Sequence, residues 1–141
     1  MSAALVDAWP LVAAFGANQP QGKRYQALFK LAADELWSLA TTWSCIVEAS
    51  YLLDPPQRYA MLRWVAAGAI SVFPFAQESV EPMVELMRKY TEPPRSEMDF
   101  ADASLVWLAN KLDITDIIIV DRADFAVYRT AKRRAFHNLF S

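Results

Sequence analysis

The acidic residues of this 141-residue chain stand where carboxylates do chemistry. Asp99 and Asp102 open a helical stretch, Met98-Asp99-Phe100-Ala101-Asp102-Ala103-Ser104-Leu105, and being three apart they share one helix face. Asp102 also precedes Leu105 by three, Val106 by four and Ala109 by seven, so it continues the apolar stripe of that helix. Asp7 ends the apolar run Ala3 to Val6, and Asp121 ends the β-branched run Ile117 to Val120, with Asp124 three residues on. Glu48 is the only charge between Cys45 and Leu53, and its neighbours at −3, +3 and +4 are Cys45, Tyr51 and Leu52. An unpaired ionised Glu on such a face is costly, so it needs a cation, a hydrogen-bonding shell or a raised pKa. Acids that converge repel one another, and a divalent cation compensates them. Taken singly these acids also have structural uses, in the first turn of a helix or the turn after a strand. Convergence is what makes them a site.

Composition limits which cation such a cluster takes. One histidine, His137, and one cysteine, Cys45, exclude His-rich and thiolate zinc sites. A metal here is held by oxygen, which selects Mg²⁺ or Mn²⁺. The single cysteine also excludes an intrachain disulfide and fits a reducing compartment, so a cytoplasmic protein is expected. No secretory signal is visible, and the longest apolar tract, Tyr59 to Ala76, carries Arg63 and ends in Phe-Pro-Phe, so no membrane span is expected. A net charge of −2 argues against nonspecific nucleic-acid binding. The charge is unevenly spread, however: from Arg122 onward there are five basic residues and one acid, a local excess that could steer a polyanion.

The elements that position these acids are readable in outline. Ala3 to Val6 reads as a buried strand, with a helix from about Pro10 to Phe15 and another from Gly22 to about Leu36. Thr41-Thr42 is an extended piece or the cap of a helix from Trp43 to Leu53, which Asp54-Pro55-Pro56 stops. A helix from Gln57 to Ala67, a strand from Ala69 to Val72 and an amphipathic helix from Glu78 to Tyr90 follow. Then come the Asp99–Asp102 helix, the strand Ile117 to Val120 and a possible edge strand within Arg134 to Phe140. Strands separated by helices predict one α/β domain over residues 1–141, three layers α/β/α around a mainly parallel sheet. At 55% hydrophobic the chain has apolar residues beyond one core, among them Trp9, Trp37, Trp64 and Trp107, and some are expected to line a homodimer interface.

Five segments carry a family resemblance: Leu5-Val6-Asp7, Thr41-Thr42-Trp43, Val47-Glu48-Ala49, Met98 to Leu105, and Asp121-Arg122-Ala123-Asp124-Phe125 with Tyr128-Arg129 beyond. In order and spacing they resemble the PIN-domain ribonucleases, especially the VapC-type toxins of toxin–antitoxin pairs. The resemblance implies a Mg²⁺- or Mn²⁺-dependent endoribonuclease, often dimeric and inhibited by an antitoxin laid over its acidic groove. It places Asp7, Glu48, Asp102 and Asp121 on the family's catalytic and metal-holding acids, and Asp99 and Asp124 on supporting ones. Arg122 and Arg129 are the candidates for contact with RNA phosphates. The family usually has Ser or Thr after its first Asp and Thr two before its fourth, where this chain has Ala8 and Ile119. Those two positions keep a second reading open, a PIN-like binding or regulatory module without catalysis. A metal-dependent nuclease or phosphatase acting on something other than RNA is a third.

Overall fold

The computed structural model describes residues 2–92, 96–120 and 122–139 and, of Arg122 and Asp124, the backbone alone. Among the described residues five strands form one sheet: β1 (Ala3–Val6), β2 (Ser38–Thr42), β3 (Ser71–Phe73), β4 (Asp116–Ile118) and β5 (His137–Asn138). Their order is β3-β2-β1-β4-β5, and every neighbouring pair is parallel. Parallel strands need helical crossovers, which cover both faces of the sheet. The central strands are accordingly apolar on both sides: Ala4, Leu5 and Val6 of β1 and Ile117 and Ile118 of β4 are fully buried. The three-layer architecture expected from the sequence is the one observed.

Among the described residues seven α-helices make the outer layers: α1 (Ala8–Phe15), α2 (Gly22–Asp34), α3 (Trp43–Leu52), α4 (Pro55–Ala66), α5 (Val80–Tyr90), α6 (Phe100–Leu112) and α7 (Arg122–Val127). Helices α1 to α4 pack on one another, and α5 packs on α6. Helix α6 is buried nearly all round, from Ala101 to Val106 and again at Leu108 and Ala109. Small Ala and Ser residues let it lie close to its neighbours, where it also touches β2 and α3. Tyr25 of α2 reaches across the core and donates its hydroxyl to the carbonyl of Ile119 at 2.8 Å.

Several boundaries differ from the sequence reading. The Thr41-Thr42 piece does both jobs offered for it: it ends a full strand, β2, and the Thr42 hydroxyl accepts from Cys45 N–H to cap α3. Strand β3 begins at Ser71 rather than Ala69, and β4 stops at Ile118, so Ile119 and Val120 already belong to the turn. Helix α2 ends at Asp34, because Leu36 turns with φ 56° and its side chain is 70% exposed, not inward-facing. Helix α7 was not anticipated, and the last edge strand shrinks to His137–Asn138. Trp37, Trp64 and Trp107 pack against the core, whereas Trp9 stays half exposed.

Candidate acidic site

In an all-parallel sheet every strand delivers its carboxyl end to the same edge. Here β1, β2 and β3 run successively to one side, while β4 and β5 lie on the other, so the order reverses between β1 and β4. That reversal opens the crevice where open α/β sheets place their sites. The register sets Val6 beside Ile118, and Asp7 N–H donates to the Ile118 carbonyl at 3.1 Å. Asp7 therefore stands at the mouth of the crevice.

Local helix starts fix the acids. Asp7 is the N-cap of α1, and its Oδ1 accepts from Ala8 N–H at 2.8 Å. Asp99 is the N-cap of α6, and its Oδ1 accepts from Asp102 N–H at 2.8 Å. Asp99 thus precedes the helix instead of sharing its face, and Asp102 sits in the first turn. Both helices turn their N-terminal ends, with the free N–H groups of the first turn, toward the acids. Asp102 Oδ2 accepts from the Tyr128 hydroxyl at 3.2 Å. Edge contacts from Phe125 and Tyr90, at 4.9 and 5.1 Å between ring centroids, hold that buried tyrosine ring. Below the acids, the hydroxyls of Thr42 and Ser104 lie 2.7 Å apart. They join the start of α3, which carries Glu48, to the first turns of α6.

The result is a recess of about 120 Å³ lined by Asp7, Trp9, Glu48, Glu97, Asp99, Asp102 and Phe125. Asp7 and Asp102 are buried at its floor, Glu48 is half-buried, and Asp99 and Glu97 are exposed at the rim. Four of the predicted acids are therefore brought together. Asp121 lies outside the described residues, as do the side chains of Arg122 and Asp124. Glu97 and Phe125 were not anticipated as lining residues. Glu97 belongs to an irregular loop with no periodicity to point it inward, its only signal being its position two before Asp99. Arg129 donates to the carbonyls of Ala126 and Tyr128, each at 2.8 Å. Lys132 and Arg134 pair with Asp113, at the far end of α6 from Asp99 and Asp102. Part of the basic tail is thus tied down roughly 16 Å of helix away from the acids.

The charge density in the recess is felt by its neighbours. Burial, and then the negative charge of Asp99, raise the Glu48 carboxyl above its usual value. Among the described residues no cation or hydrogen-bond donor meets Glu48. The Cys45 thiol beneath is pushed up to about 12 by burial and then by Asp7, so it stays a neutral thiol.

By donor type a divalent cation suits this set: five carboxylates face one small space, and no Lys or Arg is among its described lining residues. Among the described residues no three acidic, His or Cys side chains are gathered closely enough to grip an ion. Ala8 and Ile119, where the resemblance expects hydroxyls, are both buried in the core. A hydroxyl does reach Asp102, from Tyr128.

No family model and no curated protein matches this sequence. Solved structures do. The first is VapC20 of Mycobacterium tuberculosis, a sarcin–ricin loop cleaving toxin. It superposes with a TM-score of 0.71 over 87% of this chain and 92% of its own, at 17% identity. The fold is that of a VapC toxin. A chain of a toxin–antitoxin complex from Klebsiella pneumoniae is also similar, with a TM-score of 0.58 at 21% identity, covering 88% of this chain and 91% of its own. The PIN-domain, VapC-type resemblance carried by the acidic segments and the likeness to the VapC fold agree. Among the described residues no helix is long and apolar enough to cross a membrane.

Proposed function

We propose that this chain is a metal-dependent endoribonuclease of the VapC type, a toxin restrained by an antitoxin. The observation that carries the proposal is the recess itself. Asp7, Glu48, Asp99 and Asp102 meet at the carboxyl edge of the sheet, beside its order reversal. Asp7, Glu48 and Asp102, with Asp121, are the residues that would hold Mg²⁺ or Mn²⁺. When bound, such an ion supplies an activated water and stabilises charge developing on a phosphodiester.

The chain's own residues prepare that chemistry. The Ala8 N–H and the Tyr128 hydroxyl fix the rotamers of Asp7 and Asp102 at the floor. Asp99 starts α6 and so sets where Asp102 points. Glu48, biased toward its protonated form by burial and by Asp99, must release its proton to serve as a ligand, so activity falls as pH is lowered. Asp124 is assigned a supporting role, and Arg122 and Arg129 are assigned to RNA phosphates. A second copy of the chain belongs to the same reading. Tyr59 and Leu62, three apart on α4, expose apolar side chains suited to an interface.

The test is incubation of the protein with structured RNAs in Mn²⁺, in Mg²⁺ and in EDTA, with Asp7→Asn as control. Cleavage by the parent in a divalent cation alone, lost in Asp7→Asn, is expected. Intact RNA in both cations overturns the reading. Light scattering of the same samples reads the dimer.

A further inference from the structure

Phe136 stands immediately before the edge strand β5 and is half-buried. It is not among the described residues that line the acidic recess. Its ring meets Phe125 edge-on, with centroids 5.4 Å apart and planes at 87°. Phe125 meets Tyr128 in turn, and Tyr128 meets Tyr90. The four rings form one pile, and the third carries a hydroxyl that donates to Asp102. Both ends of the pile are tied to backbone. The Tyr90 hydroxyl accepts from Arg129 N–H at 3.2 Å. Phe136 is held by β5, where His137 N–H donates to the Thr115 carbonyl at 2.9 Å and Leu139 N–H to the Ile117 carbonyl at 3.0 Å. A short hairpin, closed by an antiparallel bridge between Arg129 and Ala135, joins Tyr128 to Phe136. Phe125 is also a wall between two spaces. It lines the recess and, beyond it, a cavity of about 150 Å³ shared with Ile117, Ile119, Ala126, Phe136 and Asn138.

We infer that Phe136 is a positioning residue for Asp102: from the edge strand it backs Phe125, and through Phe125 it keeps the Tyr128 hydroxyl on the acid. This rests on the metal-site reading above and adds to it a residue outside the recess. The cavity behind Phe125 is what gives Phe136 its influence. A ring beside empty space lacks partner atoms there, and packed neighbours shift to regain contacts. Phe136 bounds that space. Without its ring the cavity gains the volume of a phenyl group, and Phe125 relaxes into it, away from Tyr128. The hydrogen bond beyond has little slack. At 3.2 Å it is already longer than ordinary O–H···O bonds, and about 0.4 Å more ends it. The rival account makes Phe136 a packing residue that closes the core at the sheet edge. That account predicts lost stability and an unaltered acid. The pile predicts lost stability and a looser Asp102, and it predicts that the two losses share one hydroxyl.

The experiment is a double-mutant cycle with two readouts. The proteins are the parent, Phe136→Ala, Tyr128→Phe, the double variant and Phe136→Tyr, which keeps the ring and can turn its hydroxyl to solvent. Phe136→Leu replaces Phe136→Ala throughout if the latter does not fold. The first readout is the melting temperature in EDTA. The second is Mn²⁺ affinity, from the electron paramagnetic resonance signal of the free ion, taken well below every melting temperature so that all proteins are folded. Phe136→Ala is expected to weaken Mn²⁺ binding on the order of tenfold, as a lost support of a metal ligand does. The double variant is expected to bind no more weakly than either single one, and Phe136→Tyr to bind like the parent. In EDTA, Tyr128→Phe is expected to lower the melting temperature of the parent but hardly that of Phe136→Ala, whose hydrogen bond is already lost. Phe136→Ala that melts lower yet binds Mn²⁺ like the parent overturns the inference. So do melting-temperature losses that simply add in the double variant, because Phe136 and Tyr128 then act independently. A parent that takes no Mn²⁺ sinks the metal reading alone if the losses in EDTA fail to add, and sinks both readings if they add.

Discussion

Tyr128→Phe removes a hydroxyl that donates to Asp102. The substitution removes the donor and keeps the ring, so the edge contacts to Phe125 and Tyr90 survive. Hydrogen bonds to charged groups are worth about 1.5–3 kcal/mol, and at 3.2 Å this one is longer than the best O–H···O⁻ bonds, which places it near about 1.5 kcal/mol. For a domain of this size that lowers the melting temperature by roughly 4–8 °C. Tyr128→Ala, which also empties the ring's place in the core, should cost about 3–5 kcal/mol. The informative readout is metal. A residue that orients a metal ligand typically changes affinity about ten- to a hundredfold when it is lost. Mn²⁺ that binds only the folded protein stabilises it by mass action, and a tenfold weaker Kd removes about 1.4 kcal/mol of that stabilisation at saturating metal. Melting curves for the parent and Tyr128→Phe, in EDTA and across a Mn²⁺ titration, give both numbers. A variant that melts lower in EDTA but follows the parent's Mn²⁺ curve leaves Tyr128 a packing residue only. A variant that matches the parent in both refutes the reasoning entirely.

Two further outcomes follow from the crowding of carboxylates. Glu48 has its folded pKa raised above the ordinary value of 4.5, so the stability it contributes is full below about that pH and is lost as pH rises through the raised value. Without metal, the melting-temperature advantage of Glu48→Gln over the parent should therefore grow from acid toward neutral pH, and an advantage that does not change with pH contradicts this. Asp102→Asn relieves repulsion at the floor, so without metal it should melt no lower than the parent and should show little of the parent's Mn²⁺-dependent rise. If it melts lower in EDTA and keeps the full Mn²⁺ rise, Asp102 is structural and the site assignment fails at that residue.

The parts of the fold legible in the sequence are those where burial dictates composition. Ala3 to Val6 and Ile117 to Val120 read as strands because a central parallel strand is covered on both faces and must be apolar throughout. Strand β2 is harder to read. Its residues are Ser38, Leu39, Ala40, Thr41 and Thr42, only one of them strongly apolar. It is held by pairing on both sides and by the Thr41 hydroxyl, which donates to the Val6 carbonyl at 2.7 Å. Those contacts come from strands remote in sequence, which no local pattern reports. Helix α7 hides for a related reason: its six residues hold two charges and show no clear stripe, and Phe125 is buried in the core.

The acids were legible because each breaks a local pattern. Asp7 ends an apolar strand, Glu48 interrupts an apolar helix face, and Asp102 sits in line with core residues. What the sequence could not convey is how they are supported. Ala8 and Ile119 lack the hydroxyls expected beside the first and fourth acids, which pointed toward a weakened site. The structure places both side chains in the core, where a hydroxyl would need a partner of its own. It brings a hydroxyl to a different acid, Asp102, from a tyrosine 26 residues away whose ring is clamped by two others. Sequence spacing ranks support by nearness along the chain, whereas a carboxylate responds to any donor within reach. The loss of two neighbouring hydroxyls is therefore no measure of how well Asp102 is held, and the Tyr128–Asp102 contact is the place to measure it.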